Sequence, residues 1–318
     1  MPDWLIERGI GETRVVRLAA GEIVEARIEL ESAVPAGTVF HARLTDIGTA
    51  GRNAVARDDE GREYLLPVSP GGVAQGAQIS IVVTREAIPG AEPWKRPLAR
   101  ITDDSPRPAT PLDAIELPFP SPGDRLRQAG WSDLLEEARS GIVRFPGGEL
   151  RISLTPAMTL IDVDGHLPPA NLAMAGAEAA ARAILRHGIS GSIGIDLPTV
   201  SGKAERQAIG SAVDAILPQP FERTAVNGFG FLQIVRPRMR ASLFELASDR
   251  SAFEARALLR RAALERRGTT TLVAHPAVLR VLEQHSAWIE QISRQVGGAV
   301  TLRSDAALPI HGAYAQGG

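Results

Sequence analysis

Hydrophobic and polar residues alternate with a period of two over much of the first hundred positions, which is typical of half-buried β-strands. Residues 13–30 contain two such runs on either side of Ala20-Gly21, and they predict a hairpin. Four further runs within residues 36–104 are separated by turn-forming residues and show no helical period. Short strands at this spacing predict a small β-barrel.

After residue 124 the apolar positions alternate between helical and strand periods, so this part predicts a mixed α/β (α+β) fold. Helices are predicted at 124–140, 168–187, 202–216 (with Ser201 as its N-cap), 250–267 and 276–296. Strands are predicted at 141–145, 149–154, 157–164, 191–197, 222–226, 230–236, 269–274 and 299–303. Six prolines between positions 106 and 122 predict a linker or extended arm, and the tail 312–318 is predicted to be loose.

Composition narrows the class of protein. The length of 318 residues suggests about two domains, and 44% hydrophobic with 23% charged residues fits a soluble globular chain. No apolar run approaches the roughly 20 residues that span a bilayer, so no membrane association is expected. The N-terminus lacks the pattern of a signal peptide, which predicts a cytoplasmic location. The absence of cysteine excludes a disulfide framework and a cysteine zinc site.

Charge adds less than the basic residues first suggest. The net charge is −2, and of the 35 basic residues only Lys95 and Lys203 are lysines. Arginine binds phosphate through a bidentate fork. The codon usage of a high-GC genome also favours arginine over lysine throughout a chain. The arginine total therefore does not indicate nucleic-acid binding, whereas local clusters still do.

The stretch 157–165 carries the first candidate site. A predicted strand places Asp162 and Asp164 on one face, because side chains on a strand repeat every second residue. The stretch 192–198 repeats the arrangement. It carries Asp196 on one face and Ile193, Ile195 and Leu197 on the other. Carboxylates at strand ends are suitable Mg²⁺ ligands. The alternative is that each aspartate is an ordinary turn residue or helix cap.

The second candidate site is the basic segment 227–241. Arg236, Arg238 and Arg240 share one face if the strand continues, and three guanidinium groups in a row suit a phosphate backbone. Pro237 indicates an edge strand or a strand end, where these side chains would be exposed. The alternative is a solvated basic edge without a ligand.

The barrel and the histidines offer weaker candidates. Phe40, His41 and Tyr64 are candidates for stacking on RNA bases, although Phe40 is equally explained as a core residue. His166 follows the carboxylates, so it either contacts a substrate or is a loop residue with no role. The histidines have no metal-ligand spacing, and zinc is not predicted.

Three segments resemble motifs of the ribonuclease E/G family and occur in the family's order. They are VRFPGGELRISLTPAMTLIDVDG (143–165), GISGSIGIDLP (188–198) and NGFGFLQIVRPRMR (227–240). Residues 4–29 resemble the opening of these enzymes, and residues 36–104 resemble their inserted S1 RNA-binding domain, an OB-fold. The resemblance implies an N-terminal β-hairpin segment (1–35), an S1-like OB-fold domain (36–104), a Pro-rich linker (105–123), a DNase I-like catalytic domain (124–245) and a C-terminal α/β segment (246–318).

The resemblance also implies an activity. It is endonucleolytic hydrolysis of single-stranded RNA in RNA processing or decay, with Mg²⁺ as cofactor and Mn²⁺ as a substitute. Asp162 and Asp196 would ligate the metal. Asp164 would be the third catalytic residue, at a position where the family has an asparagine that orients the attacking water or the scissile phosphate. The Arg236–Arg240 segment would contact RNA phosphates.

Several departures from the family motifs favour an alternative, a non-catalytic RNA-binding protein on a degenerate ribonuclease scaffold. Five of them fall at Ser153, Pro156, Asp164, Thr199 and Gln233. The segment between 105 and 141 is too short to hold the family's 5′-monophosphate sensor. Without cysteine, a homo-oligomer of this chain would lack the family's zinc link. A third hypothesis is that the barrel binds a ribosomal or protein partner.

Overall fold

The computed structural model describes residues 4–89, 95–109, 113–121, 123–265 and 267–317. In chain order its strands are β1 (Trp4–Arg8), β2 (Glu12–Ala19), β3 (Glu22–Leu30), β4 (Val39–Asp46), β5 (Arg52–Arg57), β6 (Glu63–Val68), β7 (Gln78–Arg85), β8 (Leu98–Ile101), β9 (Ile115–Leu117), β10 (Ile142–Phe145), β11 (Gly148–Leu154), β12 (Thr159–Gly165), β13 (Gly191–Asp196), β14 (Glu222–Arg223), β15 (Phe231–Arg236), β16 (Thr270–Ala274), β17 (Val300–Ser304) and β18 (Tyr314–Gly317). Its helices are α1 (Arg125–Gln128), α2 (Trp131–Ser140), α3 (Pro169–Arg186), α4 (Lys203–Ile216), α5 (Leu243–Ser248), α6 (Arg250–Glu265), α7 (Pro276–Gln284), α8 (Ser286–Val296) and a 3-10 turn at Ile310–Gly312.

The predicted N-terminal hairpin is confirmed, and it belongs to a larger sheet. Strands β2 and β3 pair antiparallel around Ala20-Gly21, both of which have a positive φ. Strand β1 adds to β2, and β9 adds to β1 in parallel. The segment 105–123, predicted as a linker, therefore supplies a sheet strand with Leu117 buried. Pro111 and Pro122 lie outside the described residues.

The predicted small barrel is also confirmed. Five strands close in the order β4-β5-β6-β8-β7, because β7 returns to pair antiparallel with β4. The inward-facing side chains, among them Leu44, Leu66 and Ile81, form an apolar core. Strand β8 is an addition to the prediction.

The central element is a six-stranded sheet with the order β10-β11-β12-β13-β15-β14. Only β12 and β13 run parallel among these described pairs. One face packs against α3 and α4 and buries Ile161, Ile193, Ile195, Ala173 and Val213 in a single core. The other face carries exposed side chains along β11 and β12, so the sheet is covered on one side only.

The C-terminal part contains a three-stranded sheet, β17-β16-β18, packed against α6, α7 and α8. The tail predicted as loose instead forms β18, which pairs antiparallel with β16 and buries Ala315. Its last residue, Gly318, lies outside the described part. The predicted boundary between residues 245 and 246 falls inside α5.

Three helix predictions need correction. The helix predicted at 124–140 is two helices, because the chain turns at Gly130 with φ 95°. The helix predicted at 276–296 is interrupted at His285. Helix α4 is preceded by Gly202 as N-cap rather than Ser201, with no side-chain cap. No helix in the described ranges is long and apolar enough to cross a membrane.

Candidate functional site

The exposed face of β12 carries the predicted carboxylates. Ile161 and Val163 are buried in the core, whereas Asp162 and Asp164 are exposed on the opposite face. This alternation follows from the pleat of the strand, and it confirms the predicted orientation. The buried side chains anchor the strand, and they therefore fix the backbone that carries both aspartates.

Asp196 joins them from the neighbouring strand. In the parallel register of β12 and β13, Asp162 and Asp196 are direct partners. Neighbouring strands lie about 4.8 Å apart, and both residues are exposed. The two aspartates that sequence motifs separate by 34 positions are thus adjacent across the sheet. Gly194, two residues earlier, is buried because the ring of Phe231 lies over it, 2.6 Å from where a Cβ would be.

The pKa of Asp162 is raised, first by partial burial among the strands and then by the negative charges of Asp164 and Asp196. The backbone N–H of Val163 and the guanidinium of Arg151 oppose this shift. Asp162 therefore lies in a local excess of negative charge. A bound cation would offset that excess, as expected at a metal site.

Arg151 partly neutralises the same face. Its Nε lies 3.2 Å from Asp164 Oδ2, and its Nη2 lies 2.7 Å from Glu149 Oε1. On the adjacent strand Arg144 lies 4.0 Å from Glu149. The extra charge that Asp164 brings to this site is therefore paired with a cation. Arg151 acts on Asp162 only through its charge, at longer range.

Two helices begin at the edge of the sheet near these carboxylates. Helix α3 follows β12 and α4 follows β13, so both N-termini lie at the edge where the parallel strands end. Helix α3 has Pro168 as N-cap, no side-chain cap and no acidic residue in its first turn. Free N–H groups at such a terminus favour anions such as phosphate. Lys203, exposed at the first position of α4, adds a positive charge.

The residues fit a sparse divalent-metal site. Mg²⁺ is commonly held by one or two carboxylates, with water and substrate phosphate completing its shell. Asp162 and Asp196 supply two such oxygen donors. Within the described ranges, no group of three or more His, Asp or Glu side chains is arranged to hold a metal. A metal here would therefore depend on water and on the substrate for its other ligands.

The basic segment differs from its prediction. Strand β15 ends at Arg236, so the condition for a row of three exposed arginines is not met. Arg236 donates to the Ile189 carbonyl at 3.0 Å, Arg238 pairs with Glu245, and Arg240 lies 3.7 Å from Glu86. All three side chains are half-buried.

The basic segment also lies away from the carboxylate pair. Arg236 is opposite Gly191, five residues before Asp196 on β13, which places it roughly 16 Å along the strand from the carboxylates. The Met239 carbonyl accepts a hydrogen bond from the Glu86 N–H at 2.8 Å. The segment therefore joins the barrel to the central sheet, and it does not border the carboxylate pair.

The barrel candidates separate into core and surface. Tyr64 is buried, and its hydroxyl donates to Asp58 at 3.0 Å. Burial raises its pKa. Tyr64 is therefore not available for the predicted stacking on RNA bases. Phe40 is half-buried and packs edge-on against Tyr64 at 5.2 Å. His41 is exposed, with Nδ1 3.0 Å from Ser80 Oγ. His166 is exposed in the loop after β12.

One feature of this edge was missed from the sequence. Phe229 lies at the tip of the turn before β15 and is 85% exposed. The sequence nevertheless indicates this residue. Phe229 lies between two glycines in N-G-F-G-F, and turns of this kind favour small or polar side chains over a large apolar one.

Comparison with known proteins gives no assignment. No family model matches the chain, and no curated protein matches it.

Proposed function

We propose that this chain is a Mg²⁺-dependent endoribonuclease that hydrolyses phosphodiester bonds of single-stranded RNA, as the resemblance to the ribonuclease E/G family implies. The proposal rests on one observation, the direct register of Asp162 and Asp196 on an open sheet face. In this proposal the central sheet is DNase I-like, and the five-stranded barrel is an S1-like OB-fold.

Each residue of the site has a separate role in this proposal. Asp162 and Asp196 would hold the metal, which when bound polarises the phosphate and lowers the pKa of a water. Asp164 lies next on the same face, and its pairing with Arg151 limits the charge that it adds. The uncapped N-terminus of α3 offers N–H donors to a phosphate oxygen.

The test compares cleavage of an unstructured, end-labelled RNA by wild-type protein and by Asp162→Asn and Asp196→Asn. Both variants are expected to abolish Mg²⁺-dependent cleavage while circular dichroism shows an unchanged fold. Asp59→Asn, an exposed aspartate between β5 and β6, is the matched control and should cleave like wild type. Equal cleavage by all four proteins would contradict the proposal.

The competing candidate is a non-catalytic RNA-binding protein. It is favoured by the lack, in the described part of the chain, of a group of three His, Asp or Glu side chains that could hold a metal, and by the engagement of Asp164 with Arg151. Groups around a metal site commonly tune its affinity by about 10–100-fold, so their loss could silence the chemistry. RNA binding without cleavage at millimolar Mg²⁺ or Mn²⁺ would support this candidate.

A further inference from the structure

Phe229 is the most exposed large hydrophobic side chain among the described residues, at 85%. It projects from the turn that connects β14 to β15, where Asn227 and Gly228 before it are exposed and Gly230 after it is buried. An apolar side chain of this size is normally removed from water by folding or by binding. An apolar residue at a turn tip is therefore a candidate for contact with a ligand.

Hydrogen bonds hold the backbone of the turn that carries this ring. Asn227 Oδ1 accepts hydrogen bonds from the N–H groups of Phe229 (2.9 Å) and Phe231 (3.0 Å). The Thr199 hydroxyl donates to the Phe229 carbonyl at 3.3 Å, which ties the turn to the loop after β13. Gly230 has φ 93°, a conformation that glycine adopts without strain. The position of Phe229 is thus fixed by contacts on both sides.

The turn is close to the carboxylate pair. Asp196 is the direct partner of Phe231, two residues from Phe229. The Leu197 N–H, next to Asp196 in sequence, donates to the Gly230 carbonyl at 3.2 Å, which holds the turn beside the end of β13. A nucleotide whose phosphate lay at Asp162 and Asp196 could therefore place its own base, or that of its neighbour, against the ring.

We infer that Phe229 is a stacking platform for an unpaired nucleobase of the strand whose phosphate lies at Asp162 and Asp196. A single exposed ring suits stacking on one base, whereas an apolar peptide would need several anchors. Every base offers a π-face, so the contact tolerates any sequence but requires a base that is not already stacked in a duplex. The inference rests on the proposed function, which it deepens by selecting single-stranded substrate.

The test measures binding with Ca²⁺ in place of Mg²⁺, and gel analysis of the recovered RNA checks that it stays intact, so that the readout is binding and not cleavage. The probe is a short unstructured RNA with 2-aminopurine at one position, in a set that moves the label along the strand. Wild-type protein is expected to change the fluorescence of one label through stacking. Phe229→Ala and Phe229→Leu should weaken binding about 5- to 100-fold and lose that change, whereas Phe229→Trp should retain both.

Two controls separate stacking from other effects. Ile115→Ala removes another exposed apolar side chain, on β9 of the N-terminal sheet, and should bind like wild type. An RNA that is abasic at the responsive position should bind wild type and Phe229→Ala equally. Unchanged affinity and fluorescence in Phe229→Ala, or no RNA binding by the wild-type chain, would overturn the inference. A normal stacking result with no effect of Asp162→Asn on cleavage would instead overturn the proposed activity alone.

Discussion

Arg151 lies directly opposite Asp162 in the register of β11 and β12, yet its guanidinium pairs with Asp164, at 3.2 Å. The reason is the second carboxylate on the same side, Glu149, which lies opposite Asp164 and holds the other end of the guanidinium at 2.7 Å. Arg151 thereby neutralises Asp164 while acting on Asp162 only through space. The arrangement leaves Asp162 as the carboxylate whose pKa reports the charge balance of the site.

Replacing Arg151 should raise the pKa of Asp162 further. Arg151 is one of the groups that lower this pKa, so Arg151→Gln removes a stabilising charge from the ionised form. The measurement is an NMR titration of the Asp162 side-chain carboxyl carbon. Arg144→Gln is the control, because Arg144 is exposed and lies near Glu149 rather than Asp162. An Asp162 titration that does not move in Arg151→Gln would show that the two side chains do not interact.

Asp162→Asn should make the protein at neutral pH no less stable than wild type, and more stable by up to about 1 kcal/mol at this exposed site. The pKa of Asp162 is raised in the folded state, mainly by partial burial and then by Asp164 and Asp196. Its contribution to stability is therefore fully present below the unfolded pKa and lost as pH rises through the folded pKa.

Urea unfolding at pH 7 and at pH 3 measures this effect. The difference between Asp162→Asn and wild type should disappear at pH 3, where the carboxyl is protonated in both states. A loss of stability in Asp162→Asn at pH 7 would mean that Asp162 has a structural role in place of a functional one.

Strands that have a clear local hydrophobic pattern could be predicted from the sequence. Strands that form only because a distant strand pairs with them could not. The hairpin β2–β3 and the barrel strands β4 to β7 have clear period-two patterns. Strand β9 lies among prolines and exists because β1 pairs with it, and β18 lies in a glycine-rich tail and exists because β16 pairs with it. The partner of β9 is 110 positions away and that of β18 more than 40 positions away, so neither leaves a local signal in the sequence.

The same division applies to the site. The pattern around Asp162 predicted its exposed face, but only the register of β12 with β13 makes Asp196 its neighbour. The arginine row failed because β15 ends at Arg236, and because Glu86, 154 positions before Arg240, lies beside that arginine in the fold. Tyr64 was misassigned because the inward and outward faces of a barrel strand differ by one residue in register.

The stability of the protein should fall in acid through His187. This side chain is fully buried, with Nε2 2.9 Å from Glu137 Oε2. Burial lowers its pKa, against an opposing effect of Glu137. The unfolded chain takes up a proton near pH 6.5 while the folded chain does not, so stability is present above that pH and is lost as pH falls below it.

The measurement is the free energy of unfolding in urea between pH 7 and pH 5. His187→Gln should reduce the slope by up to about 1.4 kcal/mol per pH unit, whatever its effect on overall stability. Equal slopes in the wild type and His187→Gln would indicate that His187 is protonated in the folded protein.

Gly230→Ala should destabilise the protein by at least about 1–3 kcal/mol, the usual cost of a strained backbone conformation. Gly230 has φ 93°, and a Cβ there would lie 2.1 Å from the Leu197 carbonyl oxygen. That oxygen belongs to rigid backbone next to Asp196, so the turn must move. Gly228→Ala is the matched control, because a Cβ at Gly228 meets open space.

The two glycine variants should also differ in RNA binding. Movement of the turn would displace Phe229 from the carboxylates, so Gly230→Ala should weaken the binding of single-stranded RNA in Ca²⁺ as Phe229→Ala does. Gly228→Ala should change the free energy of unfolding by no more than about 0.5 kcal/mol and leave RNA affinity unaltered. If Gly230→Ala unfolds like wild type, the turn is not held as the contacts with Leu197 and Asn227 indicate, and a fixed stacking platform at Phe229 loses its structural basis.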